Sequence, residues 1–254
     1  MESAAGARAR NVKLVVQYDG TAYAGFQRQK GLPTIQEELE KALAVCCQEP
    51  VRVIGAGRTD AGAHARGQVV NFFTRGTIPT ARIPWALGTL LPPDIVVTSA
   101  EEVDPSFHAR FSARGKVYSY TFWVAPFPSP FWRRYALHVR GPLDRPAMEE
   151  AARILLGRHD FRAFRGEGSA VRSSVRTLRR LVLEDVPGTP LLRLVAEADG
   201  FLYHMVRTLA GTLLEVGRGR MGPDRVERAL RTGDRALAGP TLPAHGLCLE
   251  QVIY

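Results

Sequence analysis

One carboxylate stands in a stretch of small and basic residues between two apolar segments. The stretch GAGRTDAGAHARG runs from Gly55 to Gly67, and Asp60 is its one acidic residue, with Arg58 two residues before it and His64 four residues after it. A nearby arginine lowers the pKa of a carboxyl group and keeps it ionised. An ionised carboxylate in an open loop can act as a nucleophile, whereas the alternative is a turn-forming aspartate whose side chain bonds its own backbone.

Other common catalytic sites are not indicated by the motifs. The Asp60 loop has no second acid, so it lacks the partner that a retaining two-carboxylate glycosidase needs. Neither a P-loop nor a strand-linked G-x-G-x-x-G motif occurs, so no nucleotide cofactor is predicted. The six histidines show neither H-E-x-x-H nor Cys/His ligand spacing, so we predict no metal site and no cofactor.

Aromatic and basic residues alternate around the start of the second half. The stretch SFHARFSARGKVYSY covers Ser106–Tyr120, and Tyr118, Tyr120 and Phe122 share one face of a predicted strand. That face is either part of the core or a surface on which RNA bases stack.

Arginines are concentrated further along the chain. Eight arginines against two acids lie between Arg153 and Arg180, which is either a solvated charge run or a track for phosphates. His204 and Arg207 fall in the first turns of a predicted helix. Cations there oppose the helix dipole, so we expect a carboxylate to compensate them.

Composition favours a polyanionic partner. The 254 residues carry a net charge of +9, and 30 of the 34 basic residues are arginine, which suits phosphate and base contacts. Three cysteines, Cys46, Cys47 and Cys248, form no disulfide framework or zinc motif and fit a reducing cytoplasm. The first ten residues have no apolar core typical of a signal peptide. No apolar run approaches 18 residues, so no membrane association is predicted.

The same order of elements occurs in both halves. Periodicity and turn residues predict a first series of strand, helix, two strands, helix and strand: Lys13–Tyr18, Thr34–Cys47, Val51–Ile54, Gln68–Phe73, a short helix near Pro84, and Ile95–Thr98. The second series is Lys116–Val124, a helix capped by Asp144 and stopped by Gly157, Arg176–Leu183, Leu191–Ala196, His204–Val216, a short helix at Asp224–Arg231, and Leu247–Ile253. Thr34 and Glu37 have the spacing of a capping box.

This order predicts an α+β protein of two ferredoxin-like β-α-β-β-α-β domains. We expect their antiparallel sheets to join into one extended sheet with helices on one face. The predicted organisation is a flexible N-terminus at 1–10, an N-terminal domain at 11–105 that holds the Asp60 loop, and a C-terminal domain at 106–254.

Several stretches together resemble the TruA family of tRNA pseudouridine synthases, which modify the anticodon stem-loop. The stretches recur in family order over nearly the whole chain: Tyr18–Gln29, Gly55–Phe72, Phe107–Tyr120, Gly157–Phe164, Val175–Leu178, Phe201–Gly219 and Pro243–Leu249. The chain departs from the family at Phe26, where tryptophan is common, and at Cys248, where an aromatic is common. The Arg165–Ser174 loop lacks a cysteine that is often found there.

The resemblance implies catalytic roles for individual residues. Asp60 matches the nucleophilic aspartate, and Arg207 matches the arginine that pairs with it. Arg58 matches the arginine that displaces the target base, Tyr118 the tyrosine over the uracil, and Leu247 a residue that lines the base pocket. The remaining predicted substrate-binding residues are basic: His64, Arg66, Arg110, Arg165 and Arg172.

The reaction implied is conversion of uridine to pseudouridine at tRNA positions 38, 39 and 40. Asp60 can attack C1′ or C6 or assist loss of the C2′ proton, and the sequence leaves these three open. The implied partners are tRNA and a second copy in a homodimer. The alternatives are a non-catalytic RNA-binding protein of the same fold and a carboxylate-dependent hydrolase.

Overall fold

The computed structural model describes residues 9–168 and 171–254. The chain divides into two compact units, one running to Ala113 and including the C-terminal Tyr254, the other spanning Arg114–Ile253. Arg10 already belongs to the first strand, and residues 1–8 of the predicted flexible N-terminus lie outside the described residues. Within the described ranges, no helix has the length and hydropathy needed to cross a membrane.

The first unit has the predicted order of elements. They are β1 (Arg10–Tyr18), α1 (Ile35–Cys47), β2 (Ile54–Gly55), β3 (His64–Thr74), α2 (Ile83–Gly88) and β4 (Ile95–Val103). Strand β1 pairs antiparallel with both β4 and β3, and β2 pairs antiparallel with β3. The central register sets Leu14 opposite Val70 on one side and Ala100 on the other.

The core of this unit follows the two periodicities of its elements. Alternate residues of β1, namely Val12, Leu14 and Val16, are fully buried. Leu39 and Leu43 are buried one helical turn apart on α1, as Ile83 and Leu87 are on α2. The sheet and the helices therefore pack against each other through one apolar layer. The turn that carries Asp60 connects β2 to β3.

Strand β2 is shorter than predicted because α1 replaces its hydrogen-bond partners. Glu40 accepts the Val53 N–H at 3.1 Å, and the Gln36 side chain donates to the Val53 carbonyl at 3.1 Å. Val53 is buried without belonging to a strand. The main-chain groups of Val53 are therefore satisfied by side chains of α1 rather than by a neighbouring strand.

Of two predicted helix caps, one differs from the structure and one agrees with it. Thr34 is the N-cap residue of α1, but its side chain makes no capping hydrogen bond, so the predicted capping box is wrong. Glu37 lies 3.5 Å from the Arg28 guanidinium instead. In the second unit Asp144 does cap its helix by accepting the Ala147 N–H at 3.0 Å.

The second unit is larger. Its elements are β5 (Gly115–Val124), β6 (Leu137–Val139), α3 (Arg145–Ile154), β7 (Gly157–Asp160), β8 (Val175–Asp185), β9 (Leu191–Ala198), α4 (Met205–Gly217), α5 (Pro223–Thr232) and β10 (Leu247–Ile253). The strand order is β10-β5-β9-β8-β7, with every neighbouring pair antiparallel, and β6 pairs parallel with β5. Each unit thus combines helices with a mainly antiparallel sheet.

Strands β6 and β7 were not predicted. Strand β6 has three residues, too few for an alternating pattern, and β7 reads GRHD, which is polar throughout. Helix α3 ends at Ile154 with Leu155 as its C-cap, so Gly157 opens β7 rather than stopping the helix. The prediction that Gly157 stops the helix is therefore wrong, because the helix has already ended at Ile154.

Candidate active site

Asp60 lies in a tight turn whose main chain is held by hydrogen bonds. Strand β3 begins at His64, so the turn is shorter than the predicted loop, and His64 and Arg66 belong to the strand. The Asp60 carbonyl accepts the Ala63 N–H at 3.1 Å. Next to it the buried Thr59 hydroxyl lies 2.8 Å from the Tyr18 hydroxyl. The Asp60 side chain is half-buried.

Residues 19–26, which follow β1 and which we call the bracing segment, form hydrogen bonds to this turn. The Phe26 N–H donates to the Thr59 carbonyl at 3.1 Å, and the Gly62 N–H donates to the Tyr23 carbonyl at 3.3 Å. From inside, the Gln68 side chain donates to the Gly57 carbonyl at 2.9 Å. Main-chain bonds on both sides of Asp60 fix its backbone position.

Close backbone contact explains two glycines of the bracing segment. A Cβ atom on Gly20 would lie 1.9 Å from the Ala63 carbonyl oxygen, and one on Gly25 would lie 2.7 Å from the Thr59 carbonyl oxygen. Gly25 also has φ +96°, a conformation that residues with a side chain rarely adopt. The two motifs YDGTAYAGF and GAGRTDAGAH are therefore the two halves of one structure.

His64 holds the bracing segment against β3. Its Nδ1 lies 3.1 Å from the Gly20 nitrogen and 3.1 Å from Asp19 Oδ1. The first contact needs an unprotonated Nδ1 and the second a protonated one. Asp19 Oδ1 already accepts the Thr21 N–H at 2.9 Å, so we assign Nδ1 as the acceptor from Gly20. The buried imidazole thus has a positioning contact within the turn.

The first unit also presents basic side chains to solvent. Arg58, Arg66 and Arg110 are exposed. Arg110 lies over the Phe111 ring at 5.5 Å, and the His108 ring packs against the same ring at a centroid distance of 4.3 Å, tilted by 34°. Phe111 is 74% exposed. The sequence reasoning missed Phe111, although an aromatic directly after an arginine in the FHARF stretch was the available signal.

Tyr118 lies in the middle of the sheet of the second unit. On β5 it is paired with Leu249 of β10 and Ala196 of β9, and it is 7% exposed. Phe201 meets its ring edge-on at 5.2 Å. Leu247, the first residue of β10, is paired with Tyr120. Tyr118 and Leu247 therefore belong to alternate residue pairs of the β5–β10 ladder, with the Ser119–Cys248 pair between them.

The other two aromatics of this face belong to the core. Tyr120 and Phe122 are fully buried, and the Tyr120 hydroxyl donates to the Pro243 carbonyl at 2.9 Å. Burial raises the pKa of Tyr120 far above its usual value, against a smaller opposing effect of Arg207. An RNA-stacking role for this pair is therefore wrong, and the core alternative is confirmed for both.

Arg207 connects the start of α4 to the chain before β10. Its Nε donates to the Leu242 carbonyl at 2.6 Å, and its own carbonyl accepts the Leu242 N–H at 3.3 Å. The N-cap residue His204 has φ +61°, so the chain turns sharply into the helix. The Arg207 Nε is therefore anchored to the chain before β10, and the residue is half-buried.

The arginine-rich segment is partly neutralised. Arg162 lies 3.0 Å from Asp160, Arg180 2.5 Å from Glu184 and Arg179 4.0 Å from Glu197. Arg172 is exposed and Arg165 half-buried, on either side of residues 169 and 170, which lie outside the described residues. Of the two alternatives, the solvated charge run therefore fits part of this segment.

The predicted catalytic and substrate-binding residues belong to both units. Asp60, Arg58 and His64 are in the first, and Tyr118, Arg207 and Leu247 in the second. Within the first unit the structure brings Asp60 and His64 to the same braced turn. Within the second, Tyr120 links Leu247, its cross-strand partner, to Arg207, whose charge acts on it.

Comparison with known proteins identifies the family. A family model described as tRNA pseudouridine synthase matches residues 14–112 and 151–254. A tRNA pseudouridine synthase A from Clostridium kluyveri is 47% identical over 245 residues, which are 96% of this chain and 100% of the relative. Proteins of that name from Acetivibrio thermocellus and Moorella thermoacetica are 45% and 47% identical, over 96% of this chain and 100% and 99% of their own lengths. This chain therefore belongs to the tRNA pseudouridine synthase family and is an isomerase that acts on uridine in tRNA.

Proposed function

We propose that this enzyme converts uridine to pseudouridine in the anticodon stem-loop, at tRNA positions 38, 39 and 40, with Asp60 as the nucleophile. The observation that carries the proposal is the bracing of the Asp60 turn: the Phe26 N–H donates to the Thr59 carbonyl, and a Cβ atom on Gly25 would collide with the same carbonyl. A solvated turn needs no such support, whereas a reacting carboxylate must be held to within about 0.5 Å. The sequence resemblance supplies the target positions.

The chemistry conserves every atom of the nucleotide. The C1′–N1 bond of uridine breaks, the uracil rotates, a C1′–C5 bond forms, and the C5 proton is lost while N1 gains one. An ionised Asp60 serves each of the three routes open to it, which are attack on C1′, attack on C6 and removal of the C2′ proton. None of these routes consumes a redox equivalent.

Four residues complete the proposed site. Arg58, exposed beside Asp60, displaces the target base from its stack. Arg207 pairs with the Asp60 carboxylate and keeps it ionised. Tyr118 lies over the uracil and removes the C5 proton directly or through water. Leu247 lines the base pocket with apolar surface.

Binding draws on the positive charge of the chain. We infer that His64, Arg66, Arg110, Arg165 and Arg172 contribute to tRNA binding, and Phe111 adds an exposed ring on which an unpaired base can stack. The proposed assembly is a homodimer in which both copies contact one tRNA. The ferredoxin-like form of each domain, their joined sheet, the boundary at 105 and a cytoplasmic location also remain predictions.

The test is a tritium-release assay on tRNA labelled at uracil C5, followed by mapping of pseudouridine in the product. Pure enzyme should release tritium and modify positions 38, 39 and 40 of unmodified transcripts. Transcripts with cytidine at these three positions are the matched control and should release none. Release that persists from the control would contradict the proposed target while leaving the isomerase activity intact.

A further inference from the structure

Tyr203 and His204 form a pair of stacked rings at the start of α4, and the proposed catalytic site makes no use of them. We call these two residues the stacked pair. Their ring centroids lie 3.6 Å apart, with an angle of 26° between the ring planes. His204 therefore covers one face of the Tyr203 ring. The exposed part of Tyr203, 44% of the residue, is the opposite face and the edge of its ring.

The stacked pair depends on an unusual backbone conformation. Consecutive side chains point to opposite faces of a strand and lie about 100° apart around a helix, so consecutive rings do not stack in either element. His204 has φ +61° and ψ +3°, a left-handed conformation that costs free energy in a residue with a Cβ atom. Strained residues of this kind cluster at functional sites, where the surrounding structure holds them. The strain at His204 is what brings its ring onto that of Tyr203.

Gly166 supports the stacked pair from behind. Its N–H donates to the Tyr203 carbonyl at 2.8 Å. A Cβ atom on Gly166 would lie 2.6 Å from His204 Nδ1, so a larger residue would displace the imidazole. The Tyr203 ring is thus presented on a fixed backbone, which lowers the entropy lost when a ligand stacks on it.

The stacked pair lies on the segment that connects two parts of the proposed site. Phe201, two residues before Tyr203, meets the Tyr118 ring edge-on at 5.2 Å. Arg207, four residues after Tyr203, lies in the first turn of α4. Tyr118 is proposed to lie over the target uracil, and Arg207 is proposed to pair with Asp60. A ligand stacked on Tyr203 is therefore close to the target nucleotide.

The surroundings of the stacked pair suit a nucleotide. Residues 161–174, which include Gly166, contain three arginines against one acid, Glu167. Arginines attract the phosphates of RNA. The face of a tyrosine ring accepts any nucleobase, because every base has a π-face. A flipped uridine leaves its neighbour without one stacking contact, and an exposed ring can replace that contact.

We propose that Tyr203, supported by His204, is a stacking site for the nucleobase next to the target uridine in the tRNA. The free face of the Tyr203 ring takes the place of the uracil that has left the stack. The contact is the same before and during the reaction, so it contributes to substrate binding and not to the chemical step. The inference rests on the flipped uridine of the proposed function and assigns a further contact to the same site.

The direct test is the fluorescence of 2-aminopurine in tRNA that has a single target uridine. One substrate carries the probe on the 5′ side of the uridine and a second carries it on the 3′ side, and stacking on an aromatic ring quenches it. With saturating enzyme, one of the two probes should be about twofold or more dimmer with the wild type than with Tyr203→Leu. Equal fluorescence with both proteins at both probes would overturn the proposal.

The matched control for the loss of an exposed ring is Trp85→Leu. Trp85 is 82% exposed and belongs to the first unit. This variant should quench the probes as the wild type does. Quenching that falls equally in Trp85→Leu and Tyr203→Leu would show that the signal does not report stacking on Tyr203, and would overturn the assignment.

Tritium release separates stacking from a purely structural role. Tyr203→Leu should raise KM about tenfold or more with kcat nearly unchanged, as expected for loss of one base–ring contact. Tyr203→Phe keeps the ring and should have the KM of the wild type. A KM for Tyr203→Phe as high as that of Tyr203→Leu would assign the contact to the hydroxyl group and overturn the stacking site. A lower thermal unfolding temperature of Tyr203→Leu with an unchanged KM would leave the ring a structural role only.

His204→Gly tests the support of the Tyr203 ring. Glycine adopts the left-handed conformation without strain and removes the imidazole. Its KM and quenching should lie between those of the wild type and Tyr203→Leu, and wild-type values for both would contradict the role of His204. A wild type that releases no tritium contradicts the proposed function itself. An active wild type whose KM and fluorescence do not depend on Tyr203 contradicts the stacking site alone.

Discussion

The turn that carries Asp60 is held by main-chain bonds of its neighbours. The Thr59 carbonyl accepts from Phe26, and the Asp60 carbonyl accepts from Ala63. A change from carboxylate to amide leaves both bonds in place. The residue can therefore be altered chemically without disturbing the turn that holds it.

Asp60→Asn should abolish isomerisation and preserve tRNA affinity. The amide is neither a nucleophile nor a base, so turnover should fall below detection. Removal of one negative charge should leave binding to a polyanion equal or slightly tighter. Tritium release and filter binding measure the two effects. Turnover by the pure variant would contradict the nucleophile role.

Tyr118→Phe separates stacking from proton transfer at a single oxygen. The ring and its edge-on contact with Phe201 at 5.2 Å are retained, and only the hydroxyl is removed. If Tyr118 is a general base, kcat should fall by about 10²-fold or more with little change in KM. Tyr120→Phe is a control for hydroxyl removal in the core, since its hydroxyl bonds Pro243 and should affect stability first. A near-normal kcat for Tyr118→Phe would leave its ring as a stacking platform only.

At the scale of the element, the bracing segment should be as necessary as Asp60 itself. Gly25→Ala places a Cβ 2.7 Å from the Thr59 carbonyl and must shift the turn. We expect kcat to fall at least tenfold, because a small displacement of a reacting group is costly. Gly31→Ala is the matched control: Gly31 has φ +75° but nothing within 4 Å of the added Cβ.

The control should therefore cost stability alone, roughly 1 kcal/mol for the left-handed conformation. Thermal unfolding and single-turnover kinetics of both variants distinguish strain from displacement. Equal kcat values for Gly25→Ala and Gly31→Ala would show that bracing of the turn is not needed for catalysis.

The sequence predicted those elements that carry their own periodicity. Strand β10 has the predicted bounds, Leu247–Ile253, and α4 lies within one residue of them at each end. The bounds of β2 could not be predicted, because Gln36 and Glu40 of α1 satisfy Val53 from a distant part of the chain. For the same reason, the sequence indicated that Asp60 was important, but it did not indicate which residues hold the Asp60 turn in place. Tertiary contacts of this kind leave no local pattern.

At the scale of the whole molecule, the net charge of +9 attracts tRNA, and the proposed homodimer decides which arginines the bound tRNA can reach. Arg165 and Arg172 are predicted to bind tRNA but lie in the unit that does not carry Asp60. In the proposed homodimer, the tRNA can contact these arginines on one copy while its uridine reacts at Asp60 of the other. Arg165→Gln/Arg172→Gln should then weaken binding and lower the salt slope by about one unit for each phosphate that is no longer neutralised.

Mixed dimers test whether one cleft uses both copies. Asp60→Asn chains lack the nucleophile, and Arg165→Gln/Arg172→Gln chains bind poorly, so each should be inactive alone at low tRNA concentration. A mixed dimer combines the intact Asp60 of one chain with the intact arginines of the other at one of its two clefts. Activity should therefore return on mixing, to at most about half of the wild-type activity per dimer, once exchange of tagged subunits is confirmed by co-purification. If exchange occurs and activity does not return, each cleft takes its arginines and its aspartate from the same chain.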